Sequence, residues 1–540
     1  MTIGQKIVQL RTAMDISQEQ LSETLGVSRQ SVSKWEMDQA LPQIDKVLQL
    51  AELFSVSTDE LLLDKIEINR RPANEPRVNK YFGTDGFRGE ANVTLTSMQA
   101  YKVGRFLGWY YSSKLSGCTK PGYRPRIVIG KDTRRSSYML EYSLVAGITA
   151  SGADAYMLHV ITTPGVSYVT RCDEFDCGIM ITASHNPYYD NGIKVINAYG
   201  EKLDDETTAF IEAYIDGDLK ALGVTGEDLP LAQKAKIGCI HDYSAGRNRY
   251  IGYLVSVASN SYKNLKIGLD CANGASWNIA NAVFSALGAK TYVIGDEPDG
   301  LNVNEDCGST HIEKLQKLVR EKHLDLGFAF DGDADRCIAV DENGNMVDGD
   351  AMIYILGKRL KSRGILNDNT VVATIMSNSG FVASLEEIGI KCVQTTVGDR
   401  FVYECMLQND YVIGGEQSGH IIMKKYATTG DGILTAIMLA EEVCDSKTSL
   451  AKLAEPIKFY PQYLKNVRVK NKAAVLSDAS VKKAMEEVEK LINKKGRALL
   501  RQSGTESVIR VMIESETQAQ CEEYAEMIVK AITEGGHCVE

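Results

Sequence analysis

Residues 326–336 read LGFAFDGDADR, and they determine both the expected fold and the expected chemistry. The apolar run at the start predicts a buried strand of an α/β sheet. Three carboxylates follow it at alternate positions, Asp331, Asp333 and Asp335. In such sheets ligands bind beyond the carboxyl ends of the strands, and crowded aspartates repel one another unless a cation neutralises them. The stretch therefore predicts a site for a hard divalent metal.

Two other interpretations fit the same loop. A solvated turn rich in Asp and Gly is common, and the sequence alone leaves it open. An EF-hand loop would place Glu342 at its twelfth position. That interpretation fails because Arg336 stands where an EF-hand needs glycine and because a strand, not a helix, precedes the loop. Three carboxylates underfill a metal's coordination shell, so waters or a phosphate oxygen are expected to complete it.

Length, charge and cysteine usage limit the class of protein. A chain of 540 residues is too long for one core, so several domains are expected. The net charge of −11 argues against nonspecific coating of nucleic acid or anionic membrane, although a local basic site remains possible. Twelve singly scattered cysteines argue against zinc and disulfides and predict a reducing cytoplasm. No signal peptide opens the chain and no apolar run reaches membrane length, so no membrane partner is expected.

Residues 1–63 show helical periodicity and predict an all-α unit. Ser17 caps one helix, Gly26 and Val27 form a turn, and Ser28 caps the next helix. The run SQEQLSETLGVSRQSVSKWE resembles the helix-turn-helix of the phage-repressor (Cro/XRE) family across the whole unit. The resemblance implies that DNA is contacted from the start of the second helix and from the recognition helix, by Gln18, Ser28, Arg29, Gln30, Ser33 and Lys34. Five basic residues against nine acidic ones are poor for backbone affinity, so a dimerisation or protein-contact role stays open.

The rest of the chain divides into a linker and four further units. Residues 64–78 are polar, contain two prolines and lack periodicity, which predicts a linker. A strand–loop–helix–strand plan then recurs three times, starting near residues 126, 266 and 371, and predicts three related α/β domains. After Pro456 the pattern changes to a smaller α+β domain. Its first long helix is expected to face inward with Val481, Met485, Val488, Leu491 and Ile492. The predicted domains after the linker are 79–237, 238–337, 338–456 and 457–540.

Four more loops carry polar groups suited to a sugar phosphate. YFGTDGFRG (81–89) lacks the Lys-Ser/Thr ending of a P-loop, and ITASHNPYYDNGIK (181–194) holds Ser184 in a turn without a nucleophile elbow. Taken alone, a serine in a turn is more often structural than catalytic. GGEQSGH (414–420) offers a carboxylate, a hydroxyl and an imidazole, which suit a polyhydroxylated ligand. RQSGTESVIR (501–510) offers arginines, hydroxyls and backbone amides, which suit a phosphate.

Together with the aspartate loop, these four loops resemble in order and spacing the α-D-phosphohexomutases, from about residue 79 to the C-terminus. The resemblance implies a four-domain enzyme around a central cleft, with a C-terminal α+β domain after three α/β domains. Ser184 would carry a phosphoryl group, and its phosphate oxygen would complete the Mg²⁺ shell of the three aspartates. The phosphoserine would give its group to a hydroxyl of a hexose or hexosamine monophosphate, and the bisphosphate would turn over in the cleft and return its other phosphate.

The resemblance assigns roles to individual residues. The metal ligands would be Ser184, Asp331, Asp333 and Asp335. The candidates for moving hydroxyl protons are His185, Lys194, Arg88 and His420. The residues expected to hold the substrate's hydroxyls and phosphate are Arg336, Glu416, Ser418, Arg501, Ser503, Gly504, Thr505 and Arg510. In a cleft rich in arginine and metal charge, Lys194 is expected to have a lowered pKa and to serve as a base, whereas simple packing remains an equal alternative for His185.

The loops GEQSGH and CGSTH (307–311) resemble the phosphoglucosamine mutase branch, whereas glucose- and mannose-type members more often carry Met where Gln417 stands. This implies interconversion of glucosamine 6-phosphate and glucosamine 1-phosphate, for peptidoglycan precursors, with glucose or mannose specificity as the alternative. Gln502 and Ser507 depart from the family, which usually has prolines there, and members normally lack a helix-turn-helix. A transcription regulator with a mutase-like sugar-phosphate sensor stays open. Both resemblances imply a homodimer.

Overall fold

The computed structural model describes residues 2–13, 16–38, 40–54, 61, 80–83, 85–115, 123–493, 495–502 and 508–539. At residues 13, 23, 44, 45, 48, 52, 114 and 115 it describes the backbone alone. The predicted linker 64–78 lies outside the described residues. The chain separates into two compact units, Met1–Asn79 and Lys80–Glu540.

The first unit is helical, as its periodicity predicts. Its helices are α1 (Ile3–Ala13), α2 (Gln18–Leu25), α3 (Arg29–Glu36) and α4 (Ile44–Leu53). The Oγ of Ser17 accepts the amide of Gln20 at 3.1 Å, and the Oγ of Ser28 accepts the amide of Ser31 at 3.2 Å. Both serines therefore satisfy amides that a helix start leaves unpaired. Leu21 and Val32 pack in one buried cluster, which confirms the helix-turn-helix prediction.

The second unit begins with a sheet of seven strands in the order β1-β2-β6-β5-β3-β4-β7. The strands are β1 (Phe82–Gly83), β2 (Gly86–Glu90), β3 (Arg126–Lys131), β4 (Asp154–Val160), β5 (Cys177–Ile181), β6 (Asp190–Asn197) and β7 (Ile240–Asp242). The helices are α5 (Ser97–Leu115), α6 (Arg135–Ala150), α7 (Thr163–Cys172) and α8 (Asp205–Ile215). β3, β4, β5 and β7 pair in parallel, so the loops that follow β3 and β5 emerge at the same edge.

A second sheet, in the order β12-β11-β10-β8-β9, carries the aspartate loop. Its strands are β8 (Lys266–Asp270), β9 (Lys290–Ile294), β10 (Leu326–Phe330), β11 (Cys337–Asp341) and β12 (Met346–Val347). The helices around it are α9 (Ala245–Val257), α10 (Ala280–Ala286) and α11 (Glu313–Lys322). Every residue of β10 is buried, as its apolar run predicts, and β10 pairs in parallel with β8.

A third sheet has the order β14-β13-β15-β16. Its strands are β13 (Thr370–Thr374), β14 (Lys391–Thr395), β15 (Ile413–Gly415) and β16 (Ile421–Met423). Its helices are α12 (Gly349–Ser362), α13 (Ser379–Glu387), α14 (Asp399–Gln408), α15 (Gly432–Ser446) and α16 (Leu450–Ala454). The pairs β3/β4, β8/β9 and β13/β14 are each parallel and each joined through a helix, so the three recurring α/β units are confirmed.

The last part of the chain folds as an α+β unit on a three-stranded sheet in the order β17-β19-β18. Its elements are β17 (Gln462–Arg468), α17 (Lys472–Ser477), α18 (Ala479–Ile492), β18 (Arg497–Gln502), β19 (Val508–Glu514) and α19 (Gln518–Glu534). On α18 the residues Val481, Val488 and Ile492 are buried. The inward placement predicted for Leu491 is wrong, because its side chain is 53% exposed. Leu491 stands one residue before the buried Ile492, and a step of about 100° around the helix takes its side chain out of the narrow buried stripe.

Sheet pairing bears on two of the predicted domain boundaries. β7 follows residue 237 but pairs with β4 of the first sheet, and β11 and β12 complete the second sheet although most of their residues follow residue 337. The boundaries themselves stay predictions. Within the described part of the chain, no helix has both the length and the apolar character needed to cross a membrane.

Candidate active site

Ser184 lies in a tight turn at the carboxyl end of β5. Its φ of 53° is in the left-handed region, and its side chain is buried. The Oγ of Ser184 donates a hydrogen bond to Oδ2 of Asp331 at 2.5 Å, although the two residues are 147 positions apart in the chain. The predicted proximity of the serine to the aspartate loop is therefore present, while the catalytic role of each group stays a prediction.

The three aspartates of the loop are buried together. Oxygen atoms from Asp331, Asp333 and Asp335 lie within 4.8 Å of one another. The Oδ1 atoms of Asp333 and Asp335 are buried and accept no hydrogen bond among the described residues. A buried anionic oxygen without a donor is costly, whereas hard cations prefer carboxylate oxygens. The residues present therefore fit a divalent cation.

The serine turn and the aspartate loop approach each other closely at Gly332. A Cβ at this position would lie 2.5 Å from the carbonyl oxygen of Ser184, so a larger residue would push the two loops apart. Thr163, at the start of α7, fixes the other side of the loop. Its amide donates to the carbonyl oxygen of Asp333 at 3.0 Å, and its Oγ1 donates to Oδ2 of the same residue at 2.5 Å.

Lys194, on β6, supplies a buried positive charge to the aspartates. Its Nζ lies 2.8 Å from Oδ2 of Asp333, 3.2 Å from Oδ2 of Asp335 and 3.2 Å from Oδ2 of Asp85. Burial works against its charge, but these three carboxylates together raise its pKa well above the ordinary value. The prediction that Lys194 has a lowered pKa is therefore wrong. More carboxylates than basic groups surround its amine, and they favour the charged form.

His185 bridges Ser184 and Arg336. Its Nδ1 is 3.0 Å from Nη1 of Arg336 and 3.4 Å from the Oγ of Ser184. Arginine can only donate, so Nδ1 accepts and the ring is neutral. Burial, together with the charges of Arg336 and Arg88, lowers the pKa of His185 to about 4. The ring is thus a weak base that contacts the serine directly, which goes beyond packing alone.

His420 lies between Asp335, the last aspartate of the loop, and Asp399. Its Nδ1 lies 3.7 Å from Oδ1 of Asp335, and its Nε2 lies 3.5 Å from Oδ2 of Asp399. Although burial opposes the charged ring, these carboxylates raise its pKa to about 9. The amide of Gly430, however, donates to Nε2 at 3.0 Å. While Nε2 accepts this N–H it carries no proton, so the ring's one proton lies on Nδ1, toward Asp335. The second proton that the carboxylates favour would have to displace the bond from Gly430.

The loop predicted to hold the sugar packs beside the aspartate loop. The amide of Cys337, the first residue of β11, donates to the carbonyl oxygen of Gly419 at 3.1 Å. The Oε1 of Glu416 accepts the amide of Gly398 at 3.1 Å, and the Oγ of Ser418, which is exposed, lies 3.4 Å from Oε2 of Glu416. A carboxylate and a hydroxyl thus stand next to each other on a loop that contacts the strand following the aspartate loop.

The two arginines of the predicted phosphate loop face each other across β18 and β19. Arg501 and Arg510 are direct partners in the antiparallel register, and the Nε of Arg510 is buried without a hydrogen bond among the described residues. Like charges opposite one another are destabilising unless an anion lies between them. Ser503, Gly504 and Thr505 lie outside the described residues. In the part of the chain that is described, no hydrogen bond or ion pair joins these arginines to the Ser184 turn.

The predicted DNA-contacting residues differ in accessibility. Ser28, Arg29, Gln30 and Lys34 are exposed along α3, whereas Ser33 is half-buried. The Nε2 of Gln18 donates to Oε2 of Glu36 at 2.6 Å. Gln18 is therefore already engaged inside the unit, and a phosphate contact would require this bond to be shared or replaced.

Three charged residues of the site were missed by the sequence analysis. Lys202 connects Asp85, 3.3 Å away, with Asp399, 2.7 Å away at the start of α14. Asp85 also pairs with Arg88, which stands three positions later in the quoted loop. That spacing was a usable signal for Asp85. No local pattern marks Lys202 or Asp399, because only the contact between the first and third sheets brings them together. A cavity of about 280 Å³ opens beside these residues.

Family models match five regions of the chain. Alpha/beta/alpha domains I, II and III of phosphoglucomutase/phosphomannomutase match residues 79–221, 248–344 and 348–460, and the C-terminal domain of the same proteins matches residues 464–531. A helix-turn-helix model matches residues 7–61.

Similar proteins agree with these matches. The phosphoglucosamine mutase of Lachnospira eligens is 57% identical over 462 residues, which cover 86% of this chain and 100% of the relative. That of Bacillus subtilis is 48% identical over 455 residues, or 84% of this chain and 98% of the relative.

Solved structures share the fold at lower identity. A phosphoglucomutase/phosphomannomutase family protein from Burkholderia thailandensis superposes with a TM-score of 0.70 at 21% identity, over 84% of this chain and 97% of its own. The Aspergillus fumigatus N-acetylphosphoglucosamine mutase in complex with GlcNAc-6P and magnesium superposes with a TM-score of 0.61 at 18% identity, over 84% of this chain and 96% of its own.

Proposed function

The chain belongs to the phosphoglucomutase/phosphomannomutase family, in its phosphoglucosamine mutase branch, and on that premise we propose that it interconverts glucosamine 6-phosphate and glucosamine 1-phosphate. The observation that carries the proposal is the 2.5 Å hydrogen bond from the Oγ of Ser184 to Asp331. In the same loop, Asp333 and Asp335 each have a buried oxygen that accepts no hydrogen bond among the described residues. A hydroxyl beside a candidate cation site is what a phosphoserine enzyme needs.

In the proposed reaction Ser184 begins as a phosphoserine. The bond from its Oγ to phosphorus breaks as a sugar hydroxyl forms a new bond to the same phosphorus, which makes the bisphosphate. The hydroxyl loses a proton and the Oγ of Ser184 gains one. The bisphosphate turns over in the cleft, and the reverse step moves its other phosphate to Ser184. Phosphoryl transfer depends on alignment and charge neutralisation more than on covalent help.

The charged side chains around the turn are proposed to have different roles. Lys194, Arg88 and Arg336 are proposed to neutralise charge on the transferring group, because both arginines stay charged and the carboxylate of Asp333 favours the charged form of Lys194. His185 is the candidate on the serine side, because its Nδ1 is 3.4 Å from the Oγ of Ser184, and taking a proton there would require Nδ1 to give up its bond from Arg336. His420 is the candidate on the sugar side because it shares a loop with Glu416.

Mg²⁺ is the proposed cofactor, held by Asp331, Asp333, Asp335 and the phosphorylated Ser184, where it would stabilise charge that develops on the phosphoryl oxygens. The magnesium named with the Aspergillus fumigatus structure supports this choice. Glu416 and Ser418 are proposed to bind sugar hydroxyls. Arg501 and Arg510, together with Ser503, Gly504 and Thr505, are proposed to bind the phosphate that is not reacting.

A coupled mutase assay with the 6-phosphates of glucosamine, glucose and mannose tests the proposal. The expected result is the highest kcat/KM with glucosamine 6-phosphate, because relatives at 48–57% identity are phosphoglucosamine mutases. A higher kcat/KM with glucose 6-phosphate or mannose 6-phosphate would change the proposed substrate but not the proposed type of reaction. Absence of turnover with all three would favour a transcription regulator that senses sugar phosphates, but such a sensor has no use for a buried serine beside unpaired carboxylate oxygens.

We propose DNA as the partner of the N-terminal unit, since a helix-turn-helix presents Arg29, Gln30 and Lys34 to solvent. Titration of the full chain against palindromic duplexes, at several salt concentrations, tests this. Binding to none of them would favour the protein-contact alternative.

A homodimer and a cytoplasmic location complete the proposal, the first from both family resemblances and the second from the singly scattered cysteines.

A further inference from the structure

Arg134 holds the Ser184 turn from within the first sheet. It follows β3, at the start of α6, and its side chain is fully buried. Its guanidinium donates to the carbonyl oxygens of Ser184 at 2.9 Å, Asn186 at 2.8 Å and Asp190 at 3.0 Å, and also to that of Pro187. Both Nη nitrogens of the planar guanidinium thus bind backbone carbonyls of the turn.

The guanidinium is itself fixed by a carboxylate. The Nε of Arg134 donates to Oδ2 of Asp132 at 2.8 Å, and the Oγ1 of Thr182 donates to the same oxygen at 2.7 Å. Thr182 also accepts the amide of Ser184 at 2.9 Å through that Oγ1. The turn is therefore bound to one buried network at both its amide and its carbonyl side.

Asn304 holds the same turn from the second sheet's side. Its Nδ2 donates to the carbonyl oxygen of Ser184 at 2.9 Å and to that of Asn186 at 3.1 Å. Its own amide donates to the carbonyl oxygen of Ala272 at 2.9 Å, beyond the end of β8. The carbonyls of Ser184 and Asn186 thus each accept one hydrogen bond from Arg134 and one from Asn304. The two donors belong to loops of different sheets.

A backbone with positive φ at a residue other than glycine costs about 1–3 kcal/mol and persists only when its surroundings over-determine it. At Ser184 that conformation sets where the Oγ points relative to the aspartates. Removing a donor to its carbonyl leaves the main chain free to relax, and a shift of about 1 Å at a reacting group costs about 100-fold in rate.

We propose that Arg134 and Asn304 are positioning residues for Ser184: together they hold its carbonyl, and with it the direction of the Oγ toward Asp331. Neither touches the reacting atoms. The kinetic part of this inference rests on the proposed mutase function. The structural part, which concerns the order of the turn, does not.

The test compares Asn304→Ala and Arg134→Lys with a matched control, Arg105→Lys. Arg105 is also fully buried in the same unit and also donates to backbone, at Leu229 and Pro230. Among the described residues, no hydrogen bond or ion pair joins Arg105 to the turn. Three readouts apply to each full-length variant: amide hydrogen exchange of residues 182–191, thermal melting, and kcat with KM measured separately.

We expect Asn304→Ala and Arg134→Lys to speed exchange in the turn and to lower kcat by about 10- to 100-fold, with KM changed less than about threefold. Arg105→Lys should lower the melting temperature while leaving kcat and the turn's exchange as in the parent. Unchanged exchange in Asn304→Ala, or an equal loss of kcat in Arg105→Lys, would overturn the inference.

Two further outcomes remain decisive. If Arg134→Lys does not fold, Asn304→Ala alone decides, because it removes an amide from a loop and keeps the buried ion pair. If the parent protein shows no turnover with any hexose phosphate, the proposed function fails. Faster exchange in the Asn304→Ala turn would then still support the positioning role, and unchanged exchange would overturn it as well.

Discussion

The Ser184 turn and the helix α3 present their polar side chains in opposite ways. In the turn, Ser184 and the aspartates are buried, and the decisive hydrogen bond joins residues 147 positions apart. On α3, Arg29 and Lys34 project into solvent, and the capping bond from Ser31 to Ser28 spans three positions. The first site exists only when distant loops meet, whereas the second exists as soon as one helix forms and packs.

This difference predicts how each site responds to substitution. Each charged side chain around the turn lies close to others of opposite charge. Removing one of them leaves its partners buried without an opposite charge to compensate them. On an exposed helix a lost charge is replaced by water, so its loss affects binding and little else. Substitutions at the buried site should therefore have large effects that involve several residues, and those on the helix should have small, separable effects.

The largest effect is expected for Ser184→Ala. Without the hydroxyl no phosphoserine can form, so turnover should fall by roughly 10⁴-fold or more, and intact mass should show no phosphoryl group. Ser143→Ala, on a hydroxyl that bonds within α6, is the control and should keep full activity. Normal turnover by the alanine variant would remove the mechanism.

Next in size is the loss of the metal or of one of its carboxylates. Chelation with EDTA should abolish turnover and added Mg²⁺ should restore it, while Asp333→Asn should lower kcat by about 10²- to 10³-fold and weaken the response to Mg²⁺. Asp341→Asn is the matched control, because Asp341 lies at the other end of β11 and accepts the backbone amides of residues 343 and 345 and the Nδ2 of Asn345. Full activity after chelation would show that the carboxylates of Asp331, Asp333 and Asp335 do not bind a cation needed for turnover.

A smaller effect is expected for Arg510→Gln, which separates binding from chemistry. Loss of a charge-assisted phosphate contact should cost about 1.5–3 kcal/mol, or about 10- to 100-fold, and should appear mainly in KM. Lys530→Gln, on the exposed face of α19, should change neither constant. An unchanged KM in Arg510→Gln would mean that the arginine pair of β18 and β19 does not bind the substrate.

The smallest effect on catalysis is expected on the recognition helix. Arg29→Ala and Lys34→Ala should each weaken DNA binding by about 1–3 kcal/mol in a gel-shift titration at fixed salt, while kcat and KM stay as in the parent. Thr24→Ala, exposed on α2, should bind as the parent does. If both substitutions leave DNA affinity unchanged, α3 does not contact DNA through these residues. The result would favour the interpretation that the N-terminal unit contacts protein.

Much of the fold could be predicted from local patterns. The apolar run before Asp331 gives a fully buried strand, and Ser17 and Ser28 cap helices at the expected positions. The proximity of Ser184 to the aspartates followed from a family resemblance, and the structure places them in contact. Leu491 was misplaced because hydrophobic periodicity gives a direction but not the width of the buried stripe.

The charge state of the site could not be predicted in the same way. Lys194 was expected to lose its proton easily, yet Asp85, Asp333 and Asp335 surround it and raise its pKa. Asp399 and Lys202 carried no signal, and their ion pair depends on how two sheets pack. The same is true of Arg134 and Asn304, whose donors meet on one carbonyl.

From the sequence alone came the kinds of element, their order, and the polar loops that end the strands, because hydrophobic periodicity and capping act between residues a few positions apart. The tertiary structure decided which loops face each other, which carboxylates Lys194 and Lys202 pair with, and which ring nitrogen of His185 and His420 accepts a hydrogen bond. Those outcomes depend on distances of a few ångströms between groups that the chain separates by more than a hundred residues, and electrostatic interactions follow distance in space.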